Sequence, residues 1–128
     1  FIGRCMRIND KPIVILDSAH NEAGIQELNQ LLNSSTFNNL HFVFGTVSDK
    51  DLSKVLPLLP SQAKYYFCKA DIARGMDPNK LHTEASLYGL KGTVFSTVKA
   101  AYVQALSQAE DEDLVLVSGS IFVVAEVL

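Results

Sequence analysis

The sequence predicts an α/β fold in three layers: a mostly parallel, mixed sheet of about six strands with helices on both faces. Three observations lead there. Segments dense in β-branched and apolar residues alternate with segments whose apolar residues recur at intervals of three and four. Three strand-like runs, "IVILD", "LHFVF" and "LVLVS", are too continuously apolar to have a wet face, as expected of parallel strands covered on both sides. The chain of 128 residues, 48% hydrophobic and 20% charged, is the size of one domain that can bury a core without staples.

Taken in order, "RCMRIND" (Arg4 to Asp10) reads as an edge strand, and "IVILD" (Ile13 to Asp17) as a central one. In "NEAGIQELNQLLNS", Ile25, Leu28, Leu31 and Leu32 share a helical face, with Asn21 placed to cap it and Glu22 favoured in the first turn. "LHFVFGT" (Leu40 to Thr46) is a second central strand. "DKDLSKVLPLLP" supports a short helix carrying Leu52, Val55 and Leu56, broken by Pro57. "KYYFCKA" (Lys64 to Ala70) looks more amphipathic and so nearer an edge. "DPNKLHTEASLYG" has Asp77 as cap, Pro78 at the first helical position and Gly89 as a stop. "TVFS" (Thr93 to Ser96) is a short strand. "STVKAAYVQALSQA" sets Val98, Ala101, Tyr102 and Ala105 on one face behind a Ser96 or Thr97 cap. "DLVLVSG" (Asp113 to Gly119) is the third central strand, and a last helix starts near Ser120.

Composition excludes several functions. The net charge of -3, with Lys and Arg spread thinly, leaves no basic stripe for a nucleic-acid backbone. No apolar run reaches the roughly 20 residues that span a bilayer, and no basic-then-apolar leader opens the chain, so the expectation is a soluble cytoplasmic domain without nucleic-acid or membrane partners. Cys5 and Cys68 form no C-x-x-C pair and read as two buried free thiols. The chain opens on Phe1 and closes within "SIFVVAEVL", so residues 1–128 are expected to be a single domain cut from a longer protein.

In an open parallel sheet, ligands bind beyond the carboxyl ends of the strands. Three polar clusters fall there: Asp17, Ser18, His20 and Asn21; Gly45, Thr46, Ser48, Asp49 and Lys50; and Ser118, Gly119 and Ser120. Each has a plainer alternative. Asp17 can stiffen a turn, His20 can bond a carbonyl, Lys50 can be a solvated charge, and "SGS" can be a turn with a helix cap. Arg74 and Arg7 are most simply exposed, and Met6 and Met76 core or rim filler. Against this stands an acid, an imidazole, an ammonium and a hydroxyl converging on one rim, a set able to hold a nucleotide and a carboxylate together. Neither G-x-G-x-x-G, G-x-x-x-x-G-K-[ST] nor G-x-S-x-G occurs, so a dinucleotide fingerprint, a P-loop and a hydrolase elbow are all unsupported within the chain.

The ordered set "GRCMRI", "KPIVILDSAHNEAGIQEL", "HFVFGTVSDKD" and "LVLVSGSIFVVAEVL" resembles the C-terminal domain of the folylpolyglutamate synthase and dihydrofolate synthase family, within the Mur ligase superfamily. The family motif D-G-A-H-N-P is here "DSAHNE", with Ser18 for Gly and Glu22 for Pro. A glutamate suits a first helical turn.

The resemblance implies a Rossmann-like C-terminal domain of a two-domain ligase. Such an enzyme uses ATP and magnesium to turn a folate carboxylate into an acyl phosphate, which the amine of L-glutamate then displaces. It assigns the P-loop and most magnesium ligands to an N-terminal domain outside this chain, with no metal ligand here, and implies that the isolated domain is inactive. By motif position, Arg4 is expected to reach the ATP phosphates, with Gly3 and Arg4 near a hinge. Asp17 and His20 are expected as the catalytic pair beside the nucleotide, and Lys50 and Ser120 on the glutamate carboxylate, with Arg74 and Asp49 as neighbours. Domain closure would complete the site and exclude water. Two readings from other classes stand beside this one: a stand-alone flavodoxin-like module recognising a small anion, and a structural domain docking through its apolar ends.

Overall fold

Alternating apolar runs and capped helical stretches build six strands and five α-helices over residues 4–128, the part described by the computed structural model. Phe1 to Gly3, including the glycine expected near a hinge, lie outside the described residues. The strands are β1 (Met6–Asp10), β2 (Ile13–Asp17), β3 (Leu40–Phe44), β4 (Lys64–Phe67), β5 (Gly92–Val94) and β6 (Leu114–Ser118). The helices are α1 (Glu22–Asn33), α2 (Leu52–Val55), α3 (Pro78–Ser86), α4 (Val98–Gln108) and α5 (Ile121–Ala125). The sheet runs β1-β2-β6-β3-β4-β5. The β1–β2 pair is antiparallel and every other pair parallel, so the sheet is mixed as the sequence predicts.

Side-chain alternation along each strand divides the core into two. Ile15, Phe42, Phe44, Tyr65, Phe67 and Leu116 face one way and pack with Ile25 and Leu28 of α1, Val55 of α2 and Leu81 of α3. Val14, Leu16, Val43, Tyr66, Val115 and Val117 face the other way, against Val98, Ala101 and Ala105 of α4 and Val123 and Val124 of α5. The continuously apolar runs are therefore buried on both sides, with β6 fully inside. The capping signals hold as well. Asn21, Asp51, Asp77, Thr97 and Ser120 each accept a backbone N–H at the start of their helices. At Pro57 the second helix tightens into a 3-10 turn, Leu56–Leu58, and stops.

Two expectations are corrected. β4 lies next to the edge strand, but it is not amphipathic, since Tyr65, Tyr66 and Phe67 are all fully buried. Its polar look comes from hydroxyls with internal partners: Tyr65 donates to the Pro60 carbonyl at 2.5 Å, and Tyr66 to Gln108 Oε1 at 3.0 Å. Burial, and after it the charge of Asp113, pushes the Tyr66 hydroxyl up to about 12, so it serves as a neutral hydrogen-bonding group. The second correction concerns the thiols. Cys68 is buried but Cys5 is exposed, and both are free. They flank β1 and β4, which β2, β6 and β3 separate.

At the amino ends of the strands, His41 bonds Tyr66 Oη through Nδ1 at 2.8 Å and Asp113 Oδ2 through Nε2 at 3.0 Å. Burial by itself raises the Asp113 carboxyl. Hydrogen bonds from the Glu110 N–H, His41 and the Asn39 N–H outweigh it and hold the group below the ordinary carboxylate range. This network ties β3, β4 and β6 together at the end opposite the polar loops.

Candidate functional site

Parallel register brings the polar loops together. Asp17 at the end of β2 and Phe44 at the end of β3 are both partners of Ser118 at the end of β6, so three chain segments far apart in sequence leave the sheet side by side. Ser118 Oγ donates to the Ala19 carbonyl at 3.2 Å, which pins the first loop to the third.

Within the first loop, Asp17 is turned inward and its side chain is fully buried. Oδ1 accepts from Arg4 Nε at 2.8 Å and from the Ala19 N–H at 2.9 Å. Oδ2 accepts from the Cys5 N–H at 3.3 Å and the Cys5 thiol at 3.1 Å. Desolvation first, and then the bond to Asp17, raises that thiol to about 11, so it keeps the proton it donates. Arg4 also donates through Nη2 to Glu27 Oε2 at 3.0 Å. Glu27 is 67% exposed, so that outer pair is weak and readily exchanged, whereas the inner one is anchored.

His20 is exposed at the lip of the first loop, its Nδ1 lying 3.1 Å from the Ser18 carbonyl. A carbonyl only accepts, so in the neutral ring Nδ1 carries the proton and Nε2 is left with a lone pair. Asn21 is occupied with capping, its Oδ1 accepting from the Gly24 N–H at 2.8 Å.

The second loop is fastened to the segment after β4. The Ser48 N–H donates to the Arg74 carbonyl at 2.6 Å and the Met76 N–H to the Thr46 carbonyl at 2.9 Å, with Val47 bridging Gly75. Lys50 is half-buried, and although Asp49 and Asp51 flank it, neither pairs with it. Asp51 spends its Oδ1 on the N–H and hydroxyl of Ser53, at 3.1 and 2.6 Å. In the third loop, Ser120 is buried and its Oγ accepts from the Val123 N–H at 3.2 Å. The hydroxyl proton is not used in that contact.

These loops enclose a groove with two lobes. The smaller, about 210 Å³, is lined by His20, Lys50, Arg74, Ser120 and Phe122 with Val47. The larger, about 360 Å³, is lined by Asn21, Glu22, Asp49, Lys50, Lys54 and Arg74. Of the residues singled out from sequence, His20, Lys50, Arg74 and Ser120 thus meet, and Asp49 stands one lobe away. Arg4 and Asp17 do not line the groove. They form their own pair between β1, β2 and α1, where Asp17 faces Arg4, Cys5 and Ala19. Sequence reasoning missed Phe122 and Val47 as wall residues and Glu27 as a partner of Arg4. No local signal links Glu27 to Arg4 across 23 positions. Among the described residues, no cluster of three His, Cys, Asp or Glu side chains is spaced to hold a metal ion.

The family profile described as "Mur ligase, glutamate ligase domain" matches residues 3–121. The chain belongs to the Mur ligase glutamate ligase domain family. Among Mur ligase relatives, a protein of Haloferax volcanii named probable bifunctional folylpolyglutamate synthase/dihydropteroate synthase is 38% identical over 127 residues, covering 97% of this chain and 15% of the relative. The Escherichia coli K12 dihydrofolate synthase/folylpolyglutamate synthase is 30% identical, covering 98% of this chain and 29% of the relative. Among solved Mur ligase structures, a bifunctional folylpolyglutamate synthase/dihydrofolate synthase with Mn, AMPPNP and L-glutamate bound superposes with a TM-score of 0.88 at 30% identity, covering 99% of this chain and 30% of that one. The chain therefore spans under a third of the length of each of these relatives.

Proposed function

We propose that this chain is the C-terminal domain of a two-domain, ATP-dependent acid–amino-acid ligase that adds L-glutamate to folate through an acyl phosphate. The parent is a cytoplasmic folylpolyglutamate synthase, with or without dihydrofolate synthase activity. The observation that carries the reading is the meeting of His20, Lys50 and Ser120 in one small lobe at the ends of β2, β3 and β6. An ammonium and a free hydroxyl proton suit a carboxylate, and an imidazole with an available Nε2 suits proton handling or a phosphate oxygen. The names of the Haloferax and E. coli relatives, and the nucleotide analogue and L-glutamate bound in the solved relative, point the same way. Among the described residues, no helix is long and apolar enough to cross a membrane.

In this reading Lys50 and Ser120 orient the incoming glutamate, and His20 works beside the nucleotide. Arg4 presents its guanidinium to the ATP phosphates, a role that suits the donor fork. Asp17 acts by holding Arg4 in place, and Glu27 occupies the outer guanidinium nitrogen until a phosphate replaces it. ATP, magnesium and folate are shared with the N-terminal domain, to which we assign the P-loop and the metal ligands.

In the full-length parent, His20→Ala is expected to lower turnover by about 100-fold, in the range of a lost acid–base group, while circular dichroism stays unchanged because the side chain is exposed. ADP release with folate and glutamate at an undiminished rate would count against the assignment. Lys50→Ala is expected to raise the KM for glutamate by roughly tenfold or more, as for loss of a charge-assisted contact. A change confined to the KM for ATP would contradict the proposed role.

A further inference from the structure

At the end of the sheet opposite the groove, His41 of β3 is buried, and both of its ring nitrogens have partners within the chain. Which nitrogens carry protons follows from the chemistry of those partners. Nε2 lies 3.0 Å from Asp113 Oδ2, which also accepts from the Glu110 N–H at 3.0 Å. Asp113 Oδ1 accepts from the Asn39 N–H and side-chain amide at 3.1 and 3.4 Å. Every other contact of this carboxylate is an N–H donor, so the carboxylate is an acceptor throughout and Nε2 donates to it.

Nδ1 meets Tyr66 Oη at 2.8 Å, where a hydroxyl could either donate or accept. Gln108 decides which. Its Oε1 bonds both Lys64 Nζ and Tyr66 Oη, the latter at 3.0 Å. An ammonium has protons but no lone pair, so the Gln108 atom it meets is the amide oxygen and not the nitrogen. That oxygen only accepts. The single Tyr66 hydroxyl proton therefore goes to Gln108, the Tyr66 oxygen is left to accept from His41, and Nδ1 donates as well.

A ring that donates from both nitrogens is an imidazolium. We infer that His41 is a proton stored in this fold, and that the charged ring, Tyr66 and Gln108 form a latch tying the last residue of α4 to β3 and β4. Loss of the Nδ1 proton reverses the Tyr66 hydroxyl, which then donates to the ring and gives up Gln108, so the neutral ring opens the latch. The surrounding charges favour the closed form. Asp113 bonds the ring from the residue before β6, and Glu110, Asp111 and Glu112 stand exposed on the turn between α4 and β6. Lys64 of β4, its Nζ 5.7 Å from the centre of the Tyr66 ring, opposes them from the exposed side. The latch does not depend on the ligase reading.

The test is nitrogen NMR of the imidazole rings in the full-length parent, isotopically labelled in histidine, at about pH 7.5, where an ordinary imidazole is mostly neutral. The His41 signals are assigned by their loss in His41→Gln. Both ring nitrogens of His41 are expected to carry a proton. In Tyr66→Phe, which keeps the ring but removes the acceptor, Nδ1 should lose its proton while Nε2 keeps the one it donates to Asp113. The folded chain holds a proton that the unfolded chain releases above about pH 6.5, so stability is fully present below that value and declines as pH rises. The melting temperature should accordingly fall more steeply from about pH 6.5 to 8 in the wild type than in Tyr66→Phe. A wild-type ring with either nitrogen bare overturns the stored proton without recourse to a variant. A doubly protonated ring in Tyr66→Phe, or equal slopes in the two proteins, overturns the latch through Tyr66.

Discussion

Gly119→Ala is expected to destabilise the chain by at least about 4 kcal/mol, a large share of the 5–15 kcal/mol available to a typical domain. Two effects add at this position. The backbone has φ +115°, which an L side chain rarely adopts, and a methyl group there would sit 1.9 Å from the Gly45 carbonyl oxygen. That oxygen belongs to the loop leaving β3, so relief requires the ends of β3 and β6 to separate, the same juxtaposition that assembles the groove. Gly89 supplies the control, because it too has positive φ (+76°) but a methyl group meets nothing within 4 Å. Gly89→Ala should cost only about 1 kcal/mol. Thermal unfolding of both variants separates the two effects at several degrees per kcal/mol, on the order of 4 °C. Equal shifts in melting temperature would show that backbone strain, and not the contact between loops, governs Gly119.

Asp17→Ala should be among the most damaging changes of a charged side chain, with a loss of about 2–4 kcal/mol. One buried carboxylate accepts from Arg4 Nε, the Ala19 N–H, the Cys5 N–H and the Cys5 thiol. Its removal leaves those donors without an acceptor. Arg4 can recover by hydration, since its side chain is 30% exposed, so most of the loss falls on the Ala19 and Cys5 N–H groups. Asp17→Asn keeps the shape but turns an amino group toward donors, and should lose nearly as much. Adding Arg4→Ala to Asp17→Ala should change the urea midpoint little further, since both act on one contact. A change in unfolding free energy for Asp17→Ala within the roughly ±0.5 kcal/mol scatter of ordinary surface substitutions would mean that the carboxylate is not the anchor of this turn.

Much of this architecture could be read residue by residue. The run Ile13 to Leu16 has no polar position at which to place a wet face, and it is buried on both sides. Asn21, Asp77 and Thr97 cap helices because each carries a short acceptor immediately before a periodic apolar segment. The readings of β4 and Cys5 failed for a shared reason. Side-chain type alone does not fix exposure, because what surrounds the side chain decides it. Tyr66 is buried because Gln108 and His41 meet its hydroxyl, whereas Cys5 is exposed although its thiol donates to Asp17. The site divides in the same way. Asp17, His20, Lys50 and Ser120 stood out as polar residues at strand ends, but which of them share a cavity did not.

Sequence by itself determined the layer order, the helix boundaries and the rim on which the polar loops lie. Periodicity, capping and turn chemistry act over about one helical turn, and so leave their mark in consecutive residues. Tertiary structure decided that Asp17 turns inward to Arg4, and that Arg74, expected only as a neighbour, lines the same lobe as His20, Lys50 and Ser120. Those outcomes depend on the parallel register that sets Asp17 and Phe44 beside Ser118, and on the stitching of Ser48 to Arg74. That register joins residues 101 positions apart, Asp17 and Ser118, and no short stretch of the chain records it.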